Sequence, residues 1–184
     1  LNKGKKIAIA RQVIPHDQKK LSVREWFASA FDEKDYQLDM KIAKVLQEVN
    51  LVVNDYGKAL EEFSGGQQAR LLLAHALIQE PDILLLDEPT NNLDDAGIGE
   101  LITFLMMYEH TVIVISHDAE FLNIFTEGVL YLNVMKQQVE QYRGNYDDVQ
   151  DQIQAQVEKE ITLNAREEKR IKDAKEKINY FANK

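Results

Sequence analysis

Apolar residues in this chain recur with two periods, one suited to buried strands and one to helices packed along a single face. Ile7, Ala8, Ile9 and Ala10 form a short all-apolar run that ends at Arg11-Gln12 and then Pro15, which predicts an opening strand. Ser22-Val23-Arg24-Glu25 has the Ser-x-x-Glu form of a capping box ahead of Trp26-Phe27, and a second amphipathic pattern runs from Leu38 to Val49, so residues 20 to 50 read as helical. Ala69, Leu72, Leu73, Ala76 and Leu77 follow Ser64-Gly65-Gly66-Gln67 at the spacing of a helix buried along one face, with Ser64 as its natural N-cap. Pro81 closes that helix.

Ile83-Leu84-Leu85-Leu86 and Thr111 to Ile115 are two further runs without alternation, separated by a helical pattern over Ala96 to Tyr108. Such runs predict parallel strands covered on both faces, hence an α/β core. Ligands of these sheets bind beyond the carboxyl ends of the strands, where Asp87-Glu88-Pro89 and Ser116-His117-Asp118 stand. Val129 to Leu132 and Val139 to Tyr142 give a weaker hairpin signal. From about Asp147 onward there is no Gly or Pro, and Ile153, Val157 and Ile161, then Ile171, Ala174, Ile178 and Phe181, recur at helical spacing. The tail is one long helix or two paired ones.

Composition narrows the class. The 184 residues are 45% hydrophobic and 29% charged, enough apolar material for a core and too much for a disordered chain. No apolar run exceeds five residues (Phe104 to Tyr108), against the roughly 20 of a membrane span, and no signal-peptide pattern opens the chain. The absence of Cys excludes disulfides, thiolate metal sites and a cysteine nucleophile, which favours the cytoplasm. A net charge of -9 argues against a dedicated nucleic-acid binder. The charge is uneven, however: residues 166 to 184 carry Arg166, Lys169, Arg170, Lys172, Lys175, Lys177 and Lys184 against four acids, a net of +3, on a body of -12. A solvated helix with interspersed charges is the plainer reading of this tail, and an anion-binding face is the alternative.

Four apolar residues followed by adjacent carboxylates have the form of a Walker B element. Phosphoryl transfer needs a cation to neutralise the phosphates and a group to orient the attacking water, and Asp87 and Glu88 can divide those roles. Ser64-Gly65-Gly66-Gln67 at a helix start suits a phosphate, since glycines admit close backbone approach and the helix N-terminus favours anions. Either motif alone also fits an ordinary turn. Together, in order, and followed by Asn92-Leu93-Asp94 and His117, they do not fit chance.

With these residues the sequence resembles the ATP-binding cassette (ABC) ATPases over roughly residues 5 to 146. Phe63 to Gln67 looks like the family's signature motif, with Phe for the usual Leu; Leu84 to Glu88 matches Walker B, Asn92-Leu93-Asp94 the D-loop, His117 the switch histidine and Gln12 the Q-loop glutamine. The resemblance implies ATP and Mg²⁺ as ligands, with Asp87 and Gln12 serving the metal, Glu88 polarising the water and His117 contacting the γ-phosphate. It further implies that Ser64, Gly65, Gly66 and Gln67, with Asp94, meet a nucleotide held by a second cassette. The wording Asp87 to Asp94 and the segment Tyr142-Arg143-Gly144-Asn145-Tyr146 are similar to the ABC-F branch, twin-cassette ATPases acting on ribosomes. That likeness implies a partial ABC-type domain over residues 1–146, with a helical subdomain at about 15–75 and a Walker B core at 76–146, followed by an interdomain linker helix over 147–184. With only 51 residues between Gln12 and Ser64, a long inserted arm is not expected.

A Gly-x-x-x-x-Gly-Lys-Ser/Thr loop is absent: Gly4-Lys5 is followed by Lys6, and Val52 stands where Gly57-Lys58 would need its first glycine. The expectation is a fragment of a first cassette, opening at Leu1 inside it, inactive alone and prone to self-associate at an unpaired sheet edge. Competing readings are the ATP-binding subunit of a transporter, the C-terminal lobe of a chromosome-maintenance ATPase, which should follow a long coiled coil, and a degenerate cassette serving as an interaction module.

Overall fold

In the computed structural model, which describes residues 4–33, 35–134 and 136–182, with backbone alone at 177–182, three parallel strands are the frame on which the predicted site residues stand. β1 (Ile7–Ala10), β2 (Ile83–Asp87) and β3 (Thr111–Ile115) lie in that order, with Ile7 opposite Ile83 and Ile83 opposite Thr111. Their carboxyl ends share one sheet edge. The long connection from β1 to β2 contains α1 (Val23–Ala28), α2 (Leu38–Glu48), a 3-10 turn (Leu60–Glu62) and α3 (Gly65–Leu77), while α4 (Asp95–Met107) joins β2 to β3 and α5 (Ala119–Phe125) follows.

Helix α1 starts where its capping box predicts, Ser22 Oγ accepting from the Glu25 amide and Glu25 Oε2 accepting from the Ser22 amide. The two patterns read over residues 20 to 50 are two helices, α1 and α2, with a break between them. Ser29 Oγ donates to the Trp26 carbonyl at 2.6 Å, where the first helix ends, and Asp35 Oδ1 accepts from the Gln37 amide at 2.8 Å, just ahead of the second, so short polar side chains take over backbone partners at both ends of the break. Residues 19 to 23 then pair with residues 58 to 61 through the amide of Val23 to Lys58, of Leu60 to Leu21 and of Glu61 to Lys19, fixing the approach to Ser64.

The sheet differs from expectation on one face. Ala8, Ala10, Leu84 and Leu86 are buried in a core shared with Leu71, Leu72, Leu101 and Phe121, whereas Ile9 (54%), Ile113 (40%) and Ile115 (64%) on the other face are exposed. The helices of the described residues bury one side only, and apolar residues on both sides gave the sequence no alternation from which to read this.

Helix α3 is fastened to α1 by an aromatic stack. The rings of Trp26 and His75 lie 4.2 Å apart at 20°, His75 Nε2 is 3.2 Å from the Trp26 carbonyl, and Trp26 Nε1 donates to Gln18 at 3.0 Å. Burial holds the His75 imidazole below its ordinary pKa of 6.5, only partly offset by its contact with the Trp26 carbonyl. The unfolded chain therefore binds the proton more readily, and stability falls as pH drops below about 6.5 toward the lower folded value. His75→Phe should remove that component: urea unfolding at pH 7.5 and 5.5 is expected to show a smaller difference for the variant, and an equal difference would contradict it.

The chain divides into two compact units, Leu1–Phe125 and Thr126–Lys184. In the second, β4 (Gly128–Asn133) and β5 (Gln138–Arg143) form the predicted antiparallel hairpin, and Tyr146–Ala182 is one helix, α6, rather than two. Lys136 bridges Glu140 and Glu160 at 3.4 and 2.6 Å, joining hairpin to helix, and Val149 is buried. Beyond Glu160 the described side chains of α6, including Ile161 and Ile171, are exposed, as are Arg166 and Arg170. Lys177, Ile178, Phe181 and Lys184 of the predicted tail lie outside the described side chains.

Candidate active site

Glu88 is the focus of the strand ends. It follows the last residue of the central strand with φ +49°, a left-handed conformation that costs a non-glycine residue about 1–3 kcal/mol, while its amide still donates to the Ile115 carbonyl of β3 at 2.8 Å. The turn is held from both sides, since the Glu88 carbonyl accepts from Asn91 and the Thr90 carbonyl from Leu93, each at 3.2 Å. Its carboxylate is 13% exposed; Oε2 accepts from the His117 amide at 3.3 Å. Oε1 is buried and accepts no hydrogen bond among the described residues, with His117 Nε2 approaching at 3.3 Å in ion-pair range. A buried carboxylate oxygen with spare accepting capacity can take a proton or orient a water.

His117 itself is 96% exposed, on a turn fixed by Asp118, whose amide donates to Ser116 Oγ and whose Oδ1 accepts from the Phe121 amide at the start of α5. Asp87 is exposed at the end of β2, opposite Ile115. Because successive strand residues point to opposite faces, it lies on the open face with Leu85 and Ile113, away from the buried Leu86. Gln12 is exposed just past Ala10, which pairs with Leu86, and lines with Glu88 a hollow of about 640 Å³. Glu88, His117 and Gln12 are thus gathered at one edge, with Asp87 at the same edge on the other face.

Ser64 to Gln67 stand on a different element. Ser64 Oγ accepts from the Gln67 amide and Gln67 Oε1 from the Ser64 amide, at 3.3 and 3.0 Å, a closed capping box. The Gly65 and Gly66 amides, first in α3, have no intrahelical acceptor and are the groups available to an anion. Asp94 does for α4 what Ser64 does for α3, its Oδ1 accepting from the Gly97 amide at 2.9 Å. Sequence reasoning missed Asn92 as a contact residue. A Cβ built on Gly65 would stand 3.3 Å from Asn92 Cβ, and one on Gly66 3.2 Å from the Asn92 carbonyl oxygen, so the two glycines seat the turn before α4. Asn92 has φ +67°, which Asn tolerates better than most residues, and that is the signal by which an Asn-Leu-Asp turn could have been recognised.

Mg²⁺ takes oxygen ligands, commonly one or two carboxylates with the remainder from phosphates and water. Asp87 and Gln12 offer oxygens of that kind at adjacent strand ends, Asp87 from the open face and Gln12 from beside Glu88, and among the described residues no three His, Cys, Asp or Glu side chains converge into a closed metal cage. Among the described residues no helix is long and apolar enough to cross a membrane.

Residues 2–91 match the family model described as ABC transporter. An ABC transporter ATP-binding protein of Bacillus subtilis, YkpA, is 35% identical over 147 residues, 80% of this chain and 27% of its own length. ABC transporter F family member 3 of Arabidopsis thaliana is 41% identical over 112 residues, 61% of this chain and 15% of its own. The chain therefore spans about a quarter or less of the length of these relatives. Among solved structures, the ATP-binding cassette MJ0796, as a dimer in a post-hydrolysis state bound to ADP and Pi, superposes with a TM-score of 0.62 at 24% identity, over 76% of this chain and 63% of that one, a likeness of fold. The strand-end carboxylates, the capped glycine pair and the three-stranded parallel sheet agree with these matches: the chain covers part of an ATP-binding cassette and has ABC-F proteins among its relatives.

Proposed function

We propose that this chain is part of the first cassette of a twin-cassette, ABC-F type protein that binds and hydrolyses ATP and acts on the ribosome from the cytoplasm. The observation that carries the hydrolytic reading is Glu88: a strained carboxylate at the end of the central strand, with one buried oxygen unsatisfied and His117 3.3 Å away. Glu88 orients and polarises the attacking water, and His117 steadies the carboxylate and reaches the transferred phosphoryl group. Asp87 and Gln12 would hold Mg²⁺, which when bound would supply charge neutralisation at the β and γ phosphates. Ser64, Gly65, Gly66 and Gln67, with Asp94 behind the neighbouring turn, face the nucleotide of the second cassette. Residues 1–146 serve as the cassette and 147–184 as the linker. Because the 184 residues contain no phosphate loop, the chain by itself is expected to show no appreciable ATP turnover, and turnover surviving further purification would contradict this.

The ribosomal part of the proposal is supported by the ABC-F relatives and by the exposed cations of α6, Arg166 and Arg170 among them. If these meet RNA phosphates, removing either one flattens the salt dependence of binding. Arg166→Glu with Arg170→Glu in the entire protein should weaken ribosome co-sedimentation at low salt and reduce the slope of log K against log[salt] by roughly one to two. Unchanged affinity and slope would leave α6 as a solvated helix and remove this support.

A further inference from the structure

Two helices carry the two loops that the proposed function turns toward the second cassette: α3 begins at Ser64 and α4 at Asp94. They touch at their starts, where Gly65 and Gly66 seat Asn92. Six residues on from each of these caps, about 9 Å further, they are tied again. Arg70 Nη1 lies 2.7 Å from Glu100 Oε2 and donates at 2.7 Å to the Asn50 carbonyl, and Asn50 Nδ2 donates at 2.8 Å to Glu100 Oε1. The three groups form a closed ring in which every member has two partners. Asn50, just past α2, holds its place with φ +51°. Beside this ring Leu72 and Leu73 of α3 and Leu101 and Phe104 of α4 line the hollow of about 640 Å³.

We propose that Arg70 is a positioning residue that locks the Ser64 to Gln67 loop and the Asn92 to Asp94 turn into one rigid unit, so that both are presented to the opposing nucleotide together. An exposed ion pair usually contributes little, but Arg70 is only 24% exposed and bridges two elements at once, α4 through Glu100 and the end of α2 through a backbone carbonyl. The ring is thus a second polar tie between α3 and α4, beyond the contact of Asn92 with the two glycines.

The inference rests on the proposed function for its consequence and on geometry for its mechanism, and the two are separated by experiment. The chain has no Cys, so Glu61→Cys and Asp95→Cys, both at exposed positions, introduce a spin-label pair into the entire protein, any Cys outside these 184 residues being replaced by Ser. Pulsed electron-electron distance measurement without nucleotide should give a narrow distribution for the parent, about twice as wide with Arg70→Met or Glu100→Gln, and close to the parent with Arg70→Lys, whose ammonium can still reach both acceptors. The two disruptive changes combined should be no worse than either alone. In ATP hydrolysis the same variants should lose about tenfold in kcat with KM within about twofold, and Arg70→Lys should stay within about threefold of the parent. An unchanged distribution in the folded Arg70→Met and Glu100→Gln proteins, or defects that multiply, would overturn the clamp. Failure of the parent to hydrolyse ATP would overturn the functional reading while the distance measurement still decides the clamp.

Discussion

Glu88→Gln in the entire protein is expected to bind ATP as the parent does and to hydrolyse it about a thousandfold more slowly at the site containing residue 88. Gln keeps the shape and the contact to the His117 amide but lacks the negative charge that Oε1 holds, unsatisfied, toward the water. Asp87→Asn should fail differently. Asp87 is exposed at the strand end with no role in the Glu88 turn, so its loss acts on metal-dependent binding, and the nucleotide should bind weakly from the start. Equilibrium nucleotide binding with and without Mg²⁺, beside single-turnover hydrolysis, separates the two. A Glu88→Gln protein that accumulates on ribosomes with ATP, and an Asp87→Asn protein that does not, is the corresponding result in co-sedimentation.

The second large effect is on stability. Phe27 is fully buried, its ring in a T-shaped contact with Trp26 at 5.6 Å and tilted toward His75 at 5.8 Å, at the junction of α1 and α3. Phe27→Ala removes the ring and leaves a cavity that the stacked Trp26 and His75 cannot fill, at a cost of about 3–5 kcal/mol. For a domain stable by about 5–15 kcal/mol this is a large fraction, and the midpoint of urea unfolding should fall accordingly. Trp26, the one tryptophan of the chain, reports the transition. Val52→Ala, at an 80% exposed position, should change stability by less than about 0.5 kcal/mol. A loss under about 1 kcal/mol for Phe27→Ala would mean that the junction is looser than its burial indicates.

What could be read from the sequence was local chemistry. Ser22 with Glu25, and Ser64 with Gln67, form capping boxes because a short acceptor and a residue three positions on satisfy each other within one turn. The runs ending at Asp87 and Ile115 are parallel strands, and the residues that follow them stand at one edge because parallel strands end together. Three features depend on what meets what in space. The break between α1 and α2 contains no Gly or Pro and comes from side-chain bonds of Ser29 and Asp35. The open face of the sheet carries the same aliphatic residues as the buried one, so Ile9 and Ala10 differ in environment but not in kind. The glycines of the Ser64 loop were read as room for a phosphate, and Gly65 and Gly66 also make room for Asn92, a close approach across nearly thirty residues of sequence that no local pattern reports.

That close approach joins the two halves of the proposed site. Glu88 and Asn92 are on one turn, Asn92 sits against Gly65 and Gly66, and these glycines open α3, so the carboxylate proposed for hydrolysis is linked through Asn92 to the loop proposed to serve a second nucleotide. A single experiment separates a shared pair of sites from two independent ones. In the entire protein, Glu88→Gln leaves hydrolysis only at the site whose phosphate loop belongs to the second cassette, and Ser64→Arg added to it places a bulky cation where that nucleotide's γ-phosphate is to be gripped. Single-turnover hydrolysis of bound ATP should persist in Glu88→Gln and disappear in the double variant. Equal residual turnover in the two proteins would contradict a nucleotide shared between cassettes.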